Sequence, residues 1–153
     1  MKISGQFHFE HFRAGALLDD RVVRNLIVDD GYAGVAGLII QTGSTAPFVY
    51  IAIGTSTQSA ASTDTALYSE LTTAGGQRAL ASASRITTDI TNDTAQLVKT
   101  FTFLTSANYA ISEAAVFNTV TTSSGTMLCR QTFTPINVVA TDTLQITYKL
   151  DID

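Results

Sequence analysis

Residues 143–152, TLQITYKLDI, alternate polar and apolar side chains without interruption. Leu144, Ile146, Tyr148 and Leu150 fall on one side, and Gln145, Thr147 and Lys149 on the other. A period of two is the signature of an extended chain with one face buried. The same reading extends upstream, where Ala79–Thr88, Gln96–Thr105, Tyr109–Asn118 and Thr126–Phe133 each read as a strand. The breaks between them, Thr91–Asp93, Thr105–Asn108 and Thr121–Gly125, are rich in residues that bond their own backbone locally. Strands this closely spaced, with links this short, are antiparallel neighbours. The expected fold is a mainly β, single-domain antiparallel β-sandwich or jelly-roll-like barrel over residues 1–153.

The first half is less regular. Lys2–Phe12 places Phe7, Phe9 and His11 at alternate positions and reads as a strand. Arg21–Val28 reads as a second, and Gly15 with Asp19 and Asp20 supplies a turn that makes the two a hairpin. Asp29 or Asp30 is placed to cap a short helix over GYAGVAGLII, with Val35, Leu38 and Ile39 on its apolar face. Its glycines cost about 1 kcal/mol each relative to alanine. Phe48–Gly54 is a continuous apolar run, which fits a strand buried on both faces. Small polar residues from Thr55 to Thr63 read as a flexible loop. Asp64 then caps one or two helical turns through Leu71, with Leu67 and Leu71 sharing a face, and residues 72–77 form another loop. The sandwich is thus expected to carry one or two short helices.

Composition narrows the function. Threonine occurs 24 times and serine 12, with proline only twice and no tryptophan, a balance suited to half-buried pleated surface. Charged residues are 14% of the chain, well below the roughly 25% of an average soluble domain. A charge-poor, mildly apolar chain has surface to hide against a partner. The net charge is −4 and the nine basic residues are scattered, so direct nucleic-acid binding is not expected. No apolar run reaches the length of a membrane span, and the polar residues between Phe7, Phe9 and Phe12 argue against a signal peptide. A lone cysteine forms no internal disulfide, which suits folding in a reducing cytoplasm.

No residue pattern assembles a catalytic or cofactor site. His8 and His11, three apart on a strand, point to opposite faces, and ordinary surface roles outweigh metal ligation even though Glu10 shares the face of His8. The pairs Asp19–Asp20 and Asp29–Asp30 are turn and cap residues more readily than a glycosidase pair across a cleft. Glu113 interrupts an apolar strand and needs a basic partner, Arg130 or Arg78, or a subunit contact. Cys129, on a face with Met127 and Phe133, behaves as a small hydrophobe rather than a nucleophile.

The segments YIAIGTSTQSAASTDTALYSEL, YAISEAAVFN, GTMLCRQTFTPINV and DTLQITYKL, together with the opening GQFHFEHFRAGALLDDRVVRNLIVDDGY, resemble a widespread group of small tailed-bacteriophage structural proteins. The resemblance runs over residues 5–150. The chain departs from that pattern at Ala115, Val116 and Cys129, where glycine, leucine and alanine are usual. It implies a virion component assembled in the host bacterial cytoplasm. The most direct expectation is a head decoration or cement protein, a dimer or trimer binding the major capsid protein or neighbouring virion subunits. A tail or baseplate protein is the alternative, and a carbohydrate-binding receptor module a weaker one. No catalytic residue, cofactor or metal is expected. The N-terminal strand, extended onto a neighbour, the loop after residue 54 and an exposed final strand make Phe7, Phe9, Phe12, Thr55, Ser56, Thr57, Gln145, Thr147 and Tyr148 the expected contact residues.

Overall fold

The computed structural model describes residues 2–43 and 46–152. Its elements are β1 (Ile3–Arg13), β2 (Ala16–Arg24), β3 (Leu26–Ile27), α1 (Asp29–Ile40), β4 (Tyr50–Gly54), β5 (Ala79–Leu80), β6 (Ser82–Ile86), β7 (Thr94–Thr102), β8 (Asn108–Phe117), β9 (Met127–Val139) and β10 (Thr143–Ile152). They form an antiparallel β-sandwich of two five-stranded sheets. The first, sheet A, runs β2-β1-β10-β7-β6, and the second, sheet B, runs β3-β9-β8-β4-β5. The chain changes sheet at Asn25, between β2 and β3, and at Ala81, between β5 and β6. Each flank of the sandwich is therefore closed by a strand that bends from one layer into the other, a common way to turn a corner between packed sheets.

The core lies between the sheets. Phe7, Phe9, Phe101, Leu144, Ile146 and Tyr148 face inward from sheet A, against Ile51, Ile53, Ile111, Val116, Ile136 and Val138 from sheet B. A second apolar cluster of Val28, Ala52, Leu67, Ala115, Phe117 and Met127 lies on the other side of sheet B. There the connection from β4 to β5 folds back over the sheet. Around β4 sheet B is thus covered on both faces, as the continuous apolar run of that strand requires, whereas the outer face of sheet A is open.

Four expectations are corrected. The final strand is no edge: β10 pairs with β1 on one side and β7 on the other, at the centre of sheet A. The N-terminal strand does not extend away, because β1 is held between β10 and β2. The hairpin turn is the two-residue Ala14–Gly15, both with positive φ (49° and 80°), so Leu17 to Asp20 belong to β2 instead of the turn. This is the tight geometry that matches strand twist. Residues 64–71 form no helix. Leu67 and Leu71 are buried as expected, but on an irregular extended run.

The helix is present, yet it packs by its glycines. Gly31 and Gly34 are its buried positions, while Ile39 is 71% exposed. A Cβ on Gly31 would lie 2.0 Å from the Leu128 carbonyl oxygen, so only glycine lets the helix backbone touch β9. Val28 occupies the N-cap without a side-chain bond, and Asp29 and Asp30 sit in the first turn, where the helix dipole favours negative charge.

Candidate functional site

Charges buried in an apolar fold must be paired and hydrogen-bonded or they destabilise it. Three such nodes are the most distinctive chemistry of this molecule. The first lies on the outer face of sheet B, where β8 presents Glu113 and β9 presents Arg130, both fully buried. Arg130 Nε and Nη2 donate to Glu113 Oε2 at 3.1 and 2.8 Å, and Nη1 donates to Asp64 Oδ2 at 2.8 Å. The Gln58 and Ser59 carbonyls accept from the same guanidinium, and the ring of Tyr68 lies 4.6 Å from it. Glu113 in turn accepts the Ser69, Tyr68 and Ser56 amides at 2.7, 3.2 and 3.4 Å. Burial pushes the Asp64 carboxyl up, but the Ala61 amide, Arg130 and the Tyr68 hydroxyl outweigh it and hold the group below the usual carboxylate range.

This node fastens the covering loop. The backbone of the small polar residues 55–63 bonds Arg130, Glu113 and Asp64. The expected pairing of Glu113 with Arg130 is present. Arg78, the other candidate partner, has a node of its own. It makes a two-pronged pair with Glu70 at 2.8 Å for each bond and donates to the Thr119, Thr121 and Ser124 carbonyls. Its guanidinium also lies 3.5 Å from the centre of the Phe117 ring. The third node joins the start of β10 to the end of β1. Asp142 is fully buried and accepts from Arg13 twice at 2.8 Å and from the Val139 amide, with His11 Nε2 also at 2.8 Å. The Arg13 bonds, against the opposing effect of burial, hold the Asp142 carboxyl far below its ordinary range.

The open face of sheet A carries the remaining polar groups. His8 and Glu10 project from β1 beside Asp20 of β2, with one ligand-type atom from each lying within 4.8 Å of the others. Each already has a protein partner: His8 Nε2 lies 2.7 Å from Asp20, and Glu10 accepts from Gln145 at 2.9 Å. As expected, His11 points to the opposite face, but it has no surface role: it is buried in the node with Asp142. Toward the other end of the same face, Lys2, Arg24 and Lys149 with Gln6, Thr94 and Asp151 border a hollow of about 320 Å³.

The expected contact residues divide by face. Phe7, Phe9 and Tyr148 are 0%, 0% and 1% exposed, so they belong to the core and are closed to a partner. The alternation that revealed these strands also turned these side chains inward. Phe12, Thr55, Ser56, Gln145 and Thr147 are half-buried, and Thr57 is exposed. Cys129 is fully buried, and burial pushes its thiol up to about 12, which removes it as a nucleophile at neutral pH. Asp64, Glu70 and Asp142 went unrecognised in the sequence as ion-pair partners. A signal existed only for Asp64 and Glu70, which flank the apolar Leu67 and so had to be answered if that segment was buried. No protein-family model, no curated protein and no solved structure matches the chain.

Proposed function

We propose that this chain is a structural subunit of a tailed-bacteriophage particle, acting as a head decoration protein that binds and stabilises the lattice of major capsid subunits. The observation that carries the proposal is the use of charge. Arg13, Arg78 and Arg130 are spent on buried nodes that hold loops and strand ends in place. A surface fixed in advance loses less conformational freedom on association, so more of the burial energy appears as affinity. Each contact need contribute only the usual ~25 cal/mol per Å² of apolar area, multiplied over a lattice. The buried carboxylates and guanidiniums of these nodes are answered by the chain's own partners, which leaves none of them poised for acid–base or nucleophilic chemistry. In this reading the protein turns nothing over.

The test is quantitative mass spectrometry of purified particles from a strain that produces the protein. A head decoration protein is expected in hundreds of copies per particle, as lattice symmetry demands, and roughly six or twelve copies would place it in the tail or baseplate instead. Absence from particles would sink both readings.

A further inference from the structure

Sheet A has two edge strands, β2 and β6, and the longer is β2, which pairs with β1 and with no other strand among the described residues. Such an edge presents unpaired backbone groups and invites a second strand. Its outward side chains are unusual in their order. Asp20, Val22 and Arg24 are all exposed, Val22 by 56%, so that opposite charges stand two residues to either side of an apolar centre.

We infer that β2 is a self-complementary edge whose partner is a second copy of this chain, paired antiparallel about a two-fold axis at Val22. In that register Asp20 of each copy lies opposite Arg24 of the other, and Val22 meets its own equivalent. Cross-strand pairs of opposite charge and of apolar residues both favour strand association. Directly opposed residues must share a sheet face, so the axis can pass through a residue but not between two. Moving it by one residue toward the N-terminus sets Arg21 against Arg21, and by two sets Asp20 against Asp20. The remaining charges of the strand do not interfere, because Asp19 and Arg21 already bond one another and Arg21 donates to the Thr134 carbonyl at 2.6 Å. The two copies of sheet A become one continuous sheet, an isologous dimer. This inference stands on the edge strand alone; it holds or fails whether or not the chain is found in a virion.

The experiment is sedimentation equilibrium of the full chain, with circular dichroism to verify folding of each variant. The wild type is expected to show a concentration-dependent monomer–dimer equilibrium that weakens with added salt. Asp20→Arg and Arg24→Asp each place like charges opposite one another at two symmetric positions, and each should weaken the dimer about tenfold or more. An equimolar mixture of these two variants should regain the dimer, because the mixed pair restores both opposite-charge contacts. Val22→Lys, with two ammonium groups at the axis, should dissociate it, whereas Arg85→Glu on the far edge strand β6 should have no effect. A wild type that stays monomeric up to about 1 mM, a dimer indifferent to the β2 substitutions, or a mixture that fails to recover would overturn the inference.

Discussion

Arg130 is among the largest side chains wholly enclosed by the fold, and a guanidinium in that position needs every donor answered. Two carboxylates, two carbonyls and an aromatic face answer it here. Arg130→Met keeps the volume but leaves Glu113 and Asp64 buried without their cation. It should cost about 3–5 kcal/mol, measured by urea titration, the usual penalty for stranding a buried charge. Replacing Arg130 and Glu113 together by apolar residues should cost less than the sum of the two single changes. Asp142 makes a separate prediction, with pH as the variable. Its folded carboxyl is held below the roughly 3.9 of an unfolded aspartate. The contact is therefore fully stabilising above about pH 5 and is lost as pH falls, because the unfolded chain takes up the proton first. Asp64 and Asp93 are shifted in the same direction, Asp93 by the Ile90, Thr88 and Asp89 amides. Asp142→Asn should lower stability at neutral pH and flatten the acid limb of the stability profile, read from melting temperatures at a series of pH values.

At the scale of elements, two segments with helix-like sequences had different outcomes. Residues 64–71 have apolar spacing that suits a helix, yet the Tyr68 and Ser69 amides donate to Glu113 and the Leu71 amide donates to Ile53 across the chain. Donors committed to a carboxylate and a strand cannot also close helical turns, so tertiary contacts override the local pattern. The segment from Asp29 to Ile40 does become a helix, despite its glycines and because of them. Gly31→Ala raises intrinsic helix propensity by about 1 kcal/mol. It nevertheless drives a methyl group into the Leu128 backbone, which cannot give way as a flexible side chain would. The net effect should be a loss of about 1–3 kcal/mol and a lower melting temperature in a thermal scan.

For the whole molecule, the decisive feature is the asymmetry of its two sheets. The outer face of sheet B is covered over β4 and the adjoining parts of β8 and β9, while sheet A offers an open polar face and a long free edge. Because β1 is clamped between β10 and β2, removing it would test folding rather than assembly. Substitutions along β2 leave the core intact and so can separate the two. No helix among the described residues is long and apolar enough to cross a membrane.

Much of this architecture was legible in the sequence because alternation records which side of a strand is dry. The single strand expected over Ala79–Thr88 is divided at Ala81 between the two sheets, but the strands from Thr94 onward, the doubly buried run ending at Gly54 and the inert setting of Cys129 follow from that rule. So does the need of Glu113 for a basic partner, since a charge within an apolar strand cannot stand alone. Alternation carries no information about which strand lies beside which. It could not show that β10 is central and β2 an edge, nor that Phe7, Phe9 and Tyr148 face the opposite sheet instead of a neighbouring subunit. Pairing order and the partners of Asp64, Glu70 and Asp142 depend on contacts between residues far apart in the chain. Those were decided only when both sheets closed on one core, because burying apolar area and answering buried charge are properties of the packed whole.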